Sequence, residues 1–176
     1  MRSAYAREPA DNRAVFAAEP AVMAAQQQRQ YTFDVNEDGA PPRLSDKVAQ
    51  EKGASIAMNA ILQSESLMRA LGGASADFQQ GLTLLLPTNR AFQSLESIPD
   101  DLELVMKRHF IPQMITSEQM AKGATVQSYE DRAALVFSSK QGKTFVQADQ
   151  RPLAEIRGAG TQVGDGIYFL VDSLFT

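Results

Sequence analysis

The stretch Thr83-Leu84-Leu85-Leu86-Pro87-Thr88-Asn89-Arg90-Ala91-Phe92 (TLLLPTNRAF) decides the fold. The run from Leu82 to Leu86 lacks the polar alternation of a half-exposed strand, so it must be buried on both faces. Pro87 cannot donate a ladder hydrogen bond and ends the strand, while Thr88 or Asn89 can accept from the first free N–H groups of a helix. Losing such a cap costs about 1 kcal/mol, which gives the corner a structural purpose without any reaction. Ala91 and Phe92 press the new helix, expected over residues 89–95, onto the strand it has just left. Pro87, Thr88, Asn89 and Phe92 are therefore read as a structural motif.

A strand buried on both faces needs partners, and the chain supplies them late. Beyond Gly123 the apolar period becomes two: Val126, Leu135-Val136-Phe137, Phe145-Val146 and Ile167 to Val171 read as short strands. Turns between them fall at Lys140-Gln141-Gly142-Lys143 and at Gly158-Ala159-Gly160, the latter expected as a flexible hairpin connection. Before the corner the period is helical. Ser45-Asp46 makes a helix start, and Ile56, Ala60, Ile61, Met68 and Leu71 continue it as one long helix or two short ones up to Gly72-Gly73. A helix over residues 100–110 carries Leu102, Val105, Met106 and Phe110 on one face, Asp100-Asp101 as its caps, and Pro112 as its stop. Thr116 to Gln119 has capping-box spacing. Helices first and strands afterwards argue an α+β fold.

Residues 1–42 differ in kind. Their apolar positions are mostly alanine, with Gln26-Gln27-Gln28 and a closing Gly39-Ala40-Pro41-Pro42, so little bulky surface offsets the entropy of ordering. The expected division is an irregular arm, flexible or partner-bound, over residues 1–42 and a globular domain over 43–176. Within the arm, residues 21–30 suit a short helix and Tyr31-Thr32-Phe33 an extended piece. Tyr5, Phe16, Val22, Met23, Tyr31 and Phe33 are spaced as isolated anchors for a partner. Arginine, serine and alanine at the start suit an organelle transit segment, whereas Glu8, Asp11 and Glu19 oppose it. Transit segment and mature arm remain alternatives.

Composition narrows the chemistry. The 176 residues carry 21 acidic and 17 basic side chains, a net charge of −4, which gives no reason to seek phosphate backbones, so nucleic acid is not an expected partner. Without cysteine there is no disulfide, thiolate nucleophile or cysteine metal site. No window holds the eighteen or more apolar residues of a spanning helix. Asp34-Val35-Asn36-Glu37-Asp38-Gly39 imitates the first half of a calcium loop, but position 12 falls on Ser45 and two prolines interrupt it. The glycines from Gly158 to Gly166 lead into a strand, not the helix N-terminus that a phosphate needs. His109, the only histidine, is expected as a hydrogen-bonded packing residue on an apolar-faced helix. No metal, cofactor or small-molecule substrate is expected.

Three motifs together resemble the fasciclin domain family. Thr83 to Phe92 is similar to the family's strand, proline, threonine and alanine-phenylalanine signature. Arg108-His109-Phe110-Ile111-Pro112, followed by Thr116-Ser117, resembles its central tyrosine-histidine stretch. Asp165-Gly166 through Val171 to Asp172 resembles its closing strand. Order and spacing agree from Leu44 to the C-terminus. Arg108 departs from the usual tyrosine, Phe169 from a common histidine and Asp165 from asparagine. The resemblance implies a β-sheet wedge with several short helices, and adds His109, Pro112, Gly166 and Asp172 to the structural motif.

It also implies a mostly non-enzymatic family serving adhesion, matrix attachment or assembly, with some similar domains acting as linkers in organelle assemblies such as red algal light-harvesting antennae. The leading expectation is a non-catalytic linker or scaffold module, binding other proteins of a larger assembly such as a plastid phycobilisome. An extracellular or cell-surface adhesion protein is the alternative. A hydrolase using His109 stands third.

Overall fold

Strand β1 (Leu82–Pro87) is buried along its whole length because it has a strand on either side and a core above and below. The computed structural model describes residue 39 and residues 41–176. The arm anchors Tyr5, Phe16, Val22, Met23, Tyr31 and Phe33, the segments expected over residues 21–30 and 31–33, and Asp34 to Asp38 lie outside the described residues. Residues Arg43–Thr176 form one compact unit. Its helices are α1 (Leu44–Ala49), α2 (Ser55–Leu62), α3 (Glu65–Leu71), α4 (Asn89–Gln93), α5 (Leu102–Lys107) and α6 (Ser117–Ala121). The further strands are β2 (Phe110–Ile111), β3 (Thr125–Gln127), β4 (Ala134–Lys140), β5 (Lys143–Ala148), β6 (Ala154–Val163) and β7 (Gly166–Val171).

The sheet order is β2-β1-β7-β6-β5-β4-β3. Only β1 and β7 pair in parallel, from Leu82 opposite Gly166 to Pro87 opposite Val171; the other neighbours are antiparallel. Period-two geometry divides the core in two. Leu82, Leu84, Leu86 and Tyr168 pack among Ile61, Leu67, Phe92 and Met106 of the helices. Leu85, Phe169 and Val171 face the other way, towards Phe137, Val146 and Phe175. Thr83 is polar and fully buried; its hydroxyl donates to the Gln113 carbonyl (2.8 Å) and accepts from the Ile115 N–H (2.9 Å).

The sheet's two terminal strands meet at one end. Tyr129, just beyond β3, donates its N–H to the carbonyl of Phe110 in β2 at 2.7 Å. Its ring lies 4.9 Å from that of Phe78, which in turn packs edge-on against Phe110. This contact closes the curled sheet at one point.

Several boundaries differ from the sequence-based expectation. Residues 45–71 form three α-helices with a 3-10 turn at Lys52–Ala54 between the first two, and α1 begins at Leu44, with the Asp46 carboxylate accepting from the Arg43 N–H. The helix expected over residues 100–110 stops at Lys107, and Phe110 is a strand residue paired with Leu84. Pro112 therefore follows a strand and does not stop a helix. The apolar periodicity ran on because Phe110 joins the same core as Val105 and Met106 from a different backbone geometry.

The glycines at 158–160 are not a hairpin connection but part of β6. Arg157 pairs with Leu170 and Thr161 with Tyr168, so residues 158–160 oppose Phe169 alone, a bulge that Gly158 permits at φ +71°. The turn lies further on, at Gly164-Asp165. The β4–β5 turn is where expected: Gln141 and Gly142 have φ +53° and +76°, the left-handed pair that suits a two-residue hairpin.

Candidate functional site

The corner after β1 fastens two helices, and the two polar residues share the work. Thr88 Oγ1 accepts from the Ala91 N–H at 3.3 Å and caps α4. Asn89 caps a different helix: its Oδ1 accepts from the Ile56 N–H at 2.9 Å, and its Nδ2 donates to the Lys52 carbonyl at 3.2 Å. The N-cap position of α2 is Ala54, which has no side-chain acceptor, so Asn89 satisfies an orphan donor from across the fold. Alternation along β1 explains Pro87. Leu82 donates to the Asp165 carbonyl just before β7, Thr88 to the Val171 carbonyl at its end, and Leu85 to His109 on the other side, which puts the Pro87 nitrogen on the β2 side, beyond the end of that short strand.

His109 lies in the interior, with no exposed surface. Its Nδ1 is 2.9 Å from the Val105 carbonyl, which fixes the proton there, and Nε2 accepts from the Phe175 N–H at 3.4 Å. Burial holds its pKa well below the ordinary 6.5, at about 4; the nearby Arg108 charge acts in the same direction, against the opposing pull of the Val105 and Ser173 carbonyls. The imidazole is neutral and shielded, with both nitrogens held by main-chain groups. That geometry offers no general base to a substrate, so the hydrolase expectation for His109 lacks its central group.

Neighbouring motif residues also serve the frame. Arg108 donates through Nε and Nη2 to Asp131 Oδ2, at 3.1 and 3.0 Å, and reaches the Phe175 carbonyl. Gly166 lets α1 approach, since a Cβ there would lie 2.8 Å from Leu44 Cδ2. Asp172 Oδ1 accepts from the Glu155 N–H at 2.8 Å while Oδ2 meets Arg157, tying β6 to the end of β7. Asp101 caps α5 through the Leu104 N–H; for Asp100 there is no corresponding cap. Thr116 and Gln119 form a reciprocal capping box.

One polar cluster escaped the sequence analysis. Glu103 Oε1 accepts from Ser64 Oγ (2.9 Å) and Ser66 Oγ (3.2 Å) and pairs with Lys107 Nζ (3.0 Å). The Lys107 contact, followed by the two serine hydroxyls, holds the Glu103 carboxyl below its ordinary range. A carboxylate so stabilised is a poor base for activating a serine, and Ser64 also caps α3 through the Leu67 N–H. The cluster is a clasp between α3 and α5. No signal in the sequence marks it, because its members lie about forty residues apart on separate helices.

Among the described residues, no group of three or more His, Asp or Glu is placed to hold a metal ion, and no helix is long and apolar enough to cross a membrane. The large exposed apolar side chains among the described residues are Leu62, Ile98, Met114, Val136 and Leu153, on separate segments. Scattered singly, such residues are ordinary surface.

The family model of the fasciclin domain matches residues 53–176. The chain belongs to the fasciclin domain family. A solved structure described as a FAS1 domain pair from the insect cell adhesion molecule Fasciclin I superposes with a TM-score of 0.62 at 12% identity. The match covers 81% of this chain and 57% of that one, so the fasciclin chain described here spans a little over half of the domain pair. At that identity the likeness concerns the fold: the seven-stranded mixed sheet with short helices is the FAS1 arrangement. No curated protein matches the chain.

Proposed function

We propose that this fasciclin domain is a non-catalytic protein-binding module, acting as a linker or scaffold subunit of a larger assembly. The observation that carries this reading is the complete burial of His109, with both ring nitrogens engaged by main-chain groups. The polar residues that resemble catalytic candidates, His109, Ser64 and Glu103, are committed to holding segments together, which leaves surface and arm for contact. In this reading residues 1–42 are a separate arm that orders on partners through Tyr5, Phe16, Val22, Met23, Tyr31 and Phe33. An arm poor in bulky groups but carrying spaced aromatics covers a large area for few residues. A light-harvesting antenna of a plastid is one such assembly, implied by the family resemblance alone.

Adhesion at a cell surface or in a matrix is the second reading, favoured by the description of the similar solved structure as part of a cell adhesion molecule.

Deletion of residues 1–42 tests the first reading. The remaining domain keeps its cooperative unfolding transition, while its incorporation into the native assembly falls. Undiminished incorporation overturns the proposal. Fractionation of tagged protein separates the two readings, since a surface-bound pool supports adhesion and an internal complexed pool supports the linker.

A further inference from the structure

Arg108 and His109 grip one residue by both of its main-chain groups. Arg108 Nη1 donates to the Phe175 carbonyl at 3.4 Å, and His109 Nε2 accepts from the Phe175 N–H at the same distance. Phe175 follows β7 in a segment, Ser173–Thr176, that belongs to no helix or strand. The main-chain oxygen of Thr176 is likewise held by a side chain, Arg151 Nε at 3.0 Å. The strand before it is anchored differently, since β7 runs between β1 and β6 with a backbone ladder on either side. Side chains therefore hold the segment, and the segment in turn covers the core, because Leu174 and Phe175 are buried. Phe175 belongs to the same apolar cluster as Leu85, Ile111 and Phe169.

The grip requires an uncharged ring. With the Nδ1 proton committed to the Val105 carbonyl, Nε2 is the acceptor for Phe175, and a second proton turns it into a donor aimed at a donor. The positive ring would also stand beside the Arg108 charge in a site closed to water. Acidic groups on the surrounding elements are engaged elsewhere. Asp131 pairs with Arg108 at 3.0 Å, Glu130 acts on Lys107 and Tyr129, and Asp172 takes the Glu155 N–H and Arg157. The other nearby cations are paired too, Lys107 with Glu103 and Arg151 with Asp149. The Ser173 carbonyl favours the charged ring, as that of Val105 does, yet burial outweighs both and keeps the enclosed ring neutral down to about pH 4.

We propose that Arg108 and His109 form an acid-operated latch: protonation of the imidazole releases Ser173–Thr176 while the seven-stranded sheet stays folded. In the closed form the ring resists the proton, whereas freed into water it accepts one near pH 6.5. The closed form is therefore fully favoured above pH 6.5 and loses ground as the pH falls to about 4. Because one proton is taken up, the open fraction rises by up to tenfold per pH unit across that window. Release of the segment leaves every strand pairing in place, which makes it a smaller opening than unfolding of the sheet. It bares Leu174, Phe175 and the core beneath them, an apolar surface that the closed domain hides. The latch is independent of what the domain binds and of residues 1–42.

The test uses the full chain without substitution. His109 is the only histidine, so its ring resonances in a nitrogen NMR spectrum are unambiguous. Amide exchange at Phe175, expressed as protection relative to an unstructured peptide at the same pH, is measured alongside. That protection should fall by up to tenfold per unit between pH 6.5 and about 4, with the ring signals remaining those of the neutral Nδ1–H form wherever Phe175 is protected. It should not respond to urea below the unfolding transition, because a local opening exposes little surface, whereas exchange at the buried Leu84 and Val146 accelerates. In His109→Gln the protection of Phe175 should be lower at pH 7 and constant down to pH 4. Exchange of Phe175 with the protection and urea response of Leu84 overturns the proposal, since the segment then leaves only with the sheet. Protection of Phe175 that ignores pH in the unaltered chain, or a ring that takes its proton near pH 6.5 while Phe175 stays protected, overturns it equally.

Discussion

The imidazole of His109 lies against the ring of Phe175 with centroids 4.3 Å apart and planes 13° from parallel. The same histidine accepts a hydrogen bond from the Phe175 N–H, so one side chain holds the C-terminal segment both by its face and by its edge. This contact ties two regions 66 residues apart and depends on the ring being neutral.

Acidification should therefore loosen the domain through His109. Its folded pKa of about 4 lies below the ordinary 6.5, so the unfolded chain takes up a proton first as pH falls. The stabilisation is complete above pH 6.5 and is lost progressively down to pH 4, with a slope of at most about 1.4 kcal/mol per pH unit. Denaturant titrations of the full chain and of His109→Gln across this window measure it. The variant should be less stable at pH 7 and lack the extra slope; equal slopes in both proteins would contradict the assignment.

Asn89→Ala should cost more than Thr88→Ala. Thr88 serves one N–H, and its loss is worth about 1 kcal/mol. Asn89 serves an N–H and a carbonyl near the start of α2, whose own N-cap residue cannot replace it, so roughly 2 kcal/mol is expected. Thermal unfolding of the two variants gives the order directly. A reversed order would mean that α2 finds another cap.

Gly160→Ala should be strongly destabilising although it looks mild on paper. A Cβ at this position would stand 2.4 Å from Cε1 of Phe169 and 2.9 Å from Cδ1 of Ile167. Since Phe169 is almost completely buried, the ring has no free direction of retreat, and a cost of about 1–3 kcal/mol follows. Gly158→Ala tests a different requirement: it meets no neighbour but must hold φ at +71°. Combining Gly160→Ala with Phe169→Leu should recover part of the loss of the first variant alone.

The corner at Pro87, the doubly buried β1, the capping box at Thr116 and the β4–β5 turn were legible because each is written in neighbouring residues. The family likewise showed in three short motifs. What could not be read rests on distance in sequence. Asn89 resembles a cap for the helix it opens, and only the fold brings Ile56 beneath it. Gly158 and Gly160 resemble a turn, because a bulge pressed against Phe169 and a hairpin both require small residues. Phe110 continued the helical spacing of Leu102, Val105 and Met106, and Leu84 overrides it by pairing with it in the sheet.

The parallel pairing of β1 with β7 has a bearing on how the chain is made. Three consecutive leucines of β1 acquire one of their two neighbouring strands only after the ribosome has passed residue 171. Until then a sticky, unpaired ribbon is presented to whatever surrounds the nascent chain. The decisive step in folding this domain therefore waits for β7 and is governed by slow, long-range closure, so that stalled synthesis before β7 would leave a species for chaperones to hold.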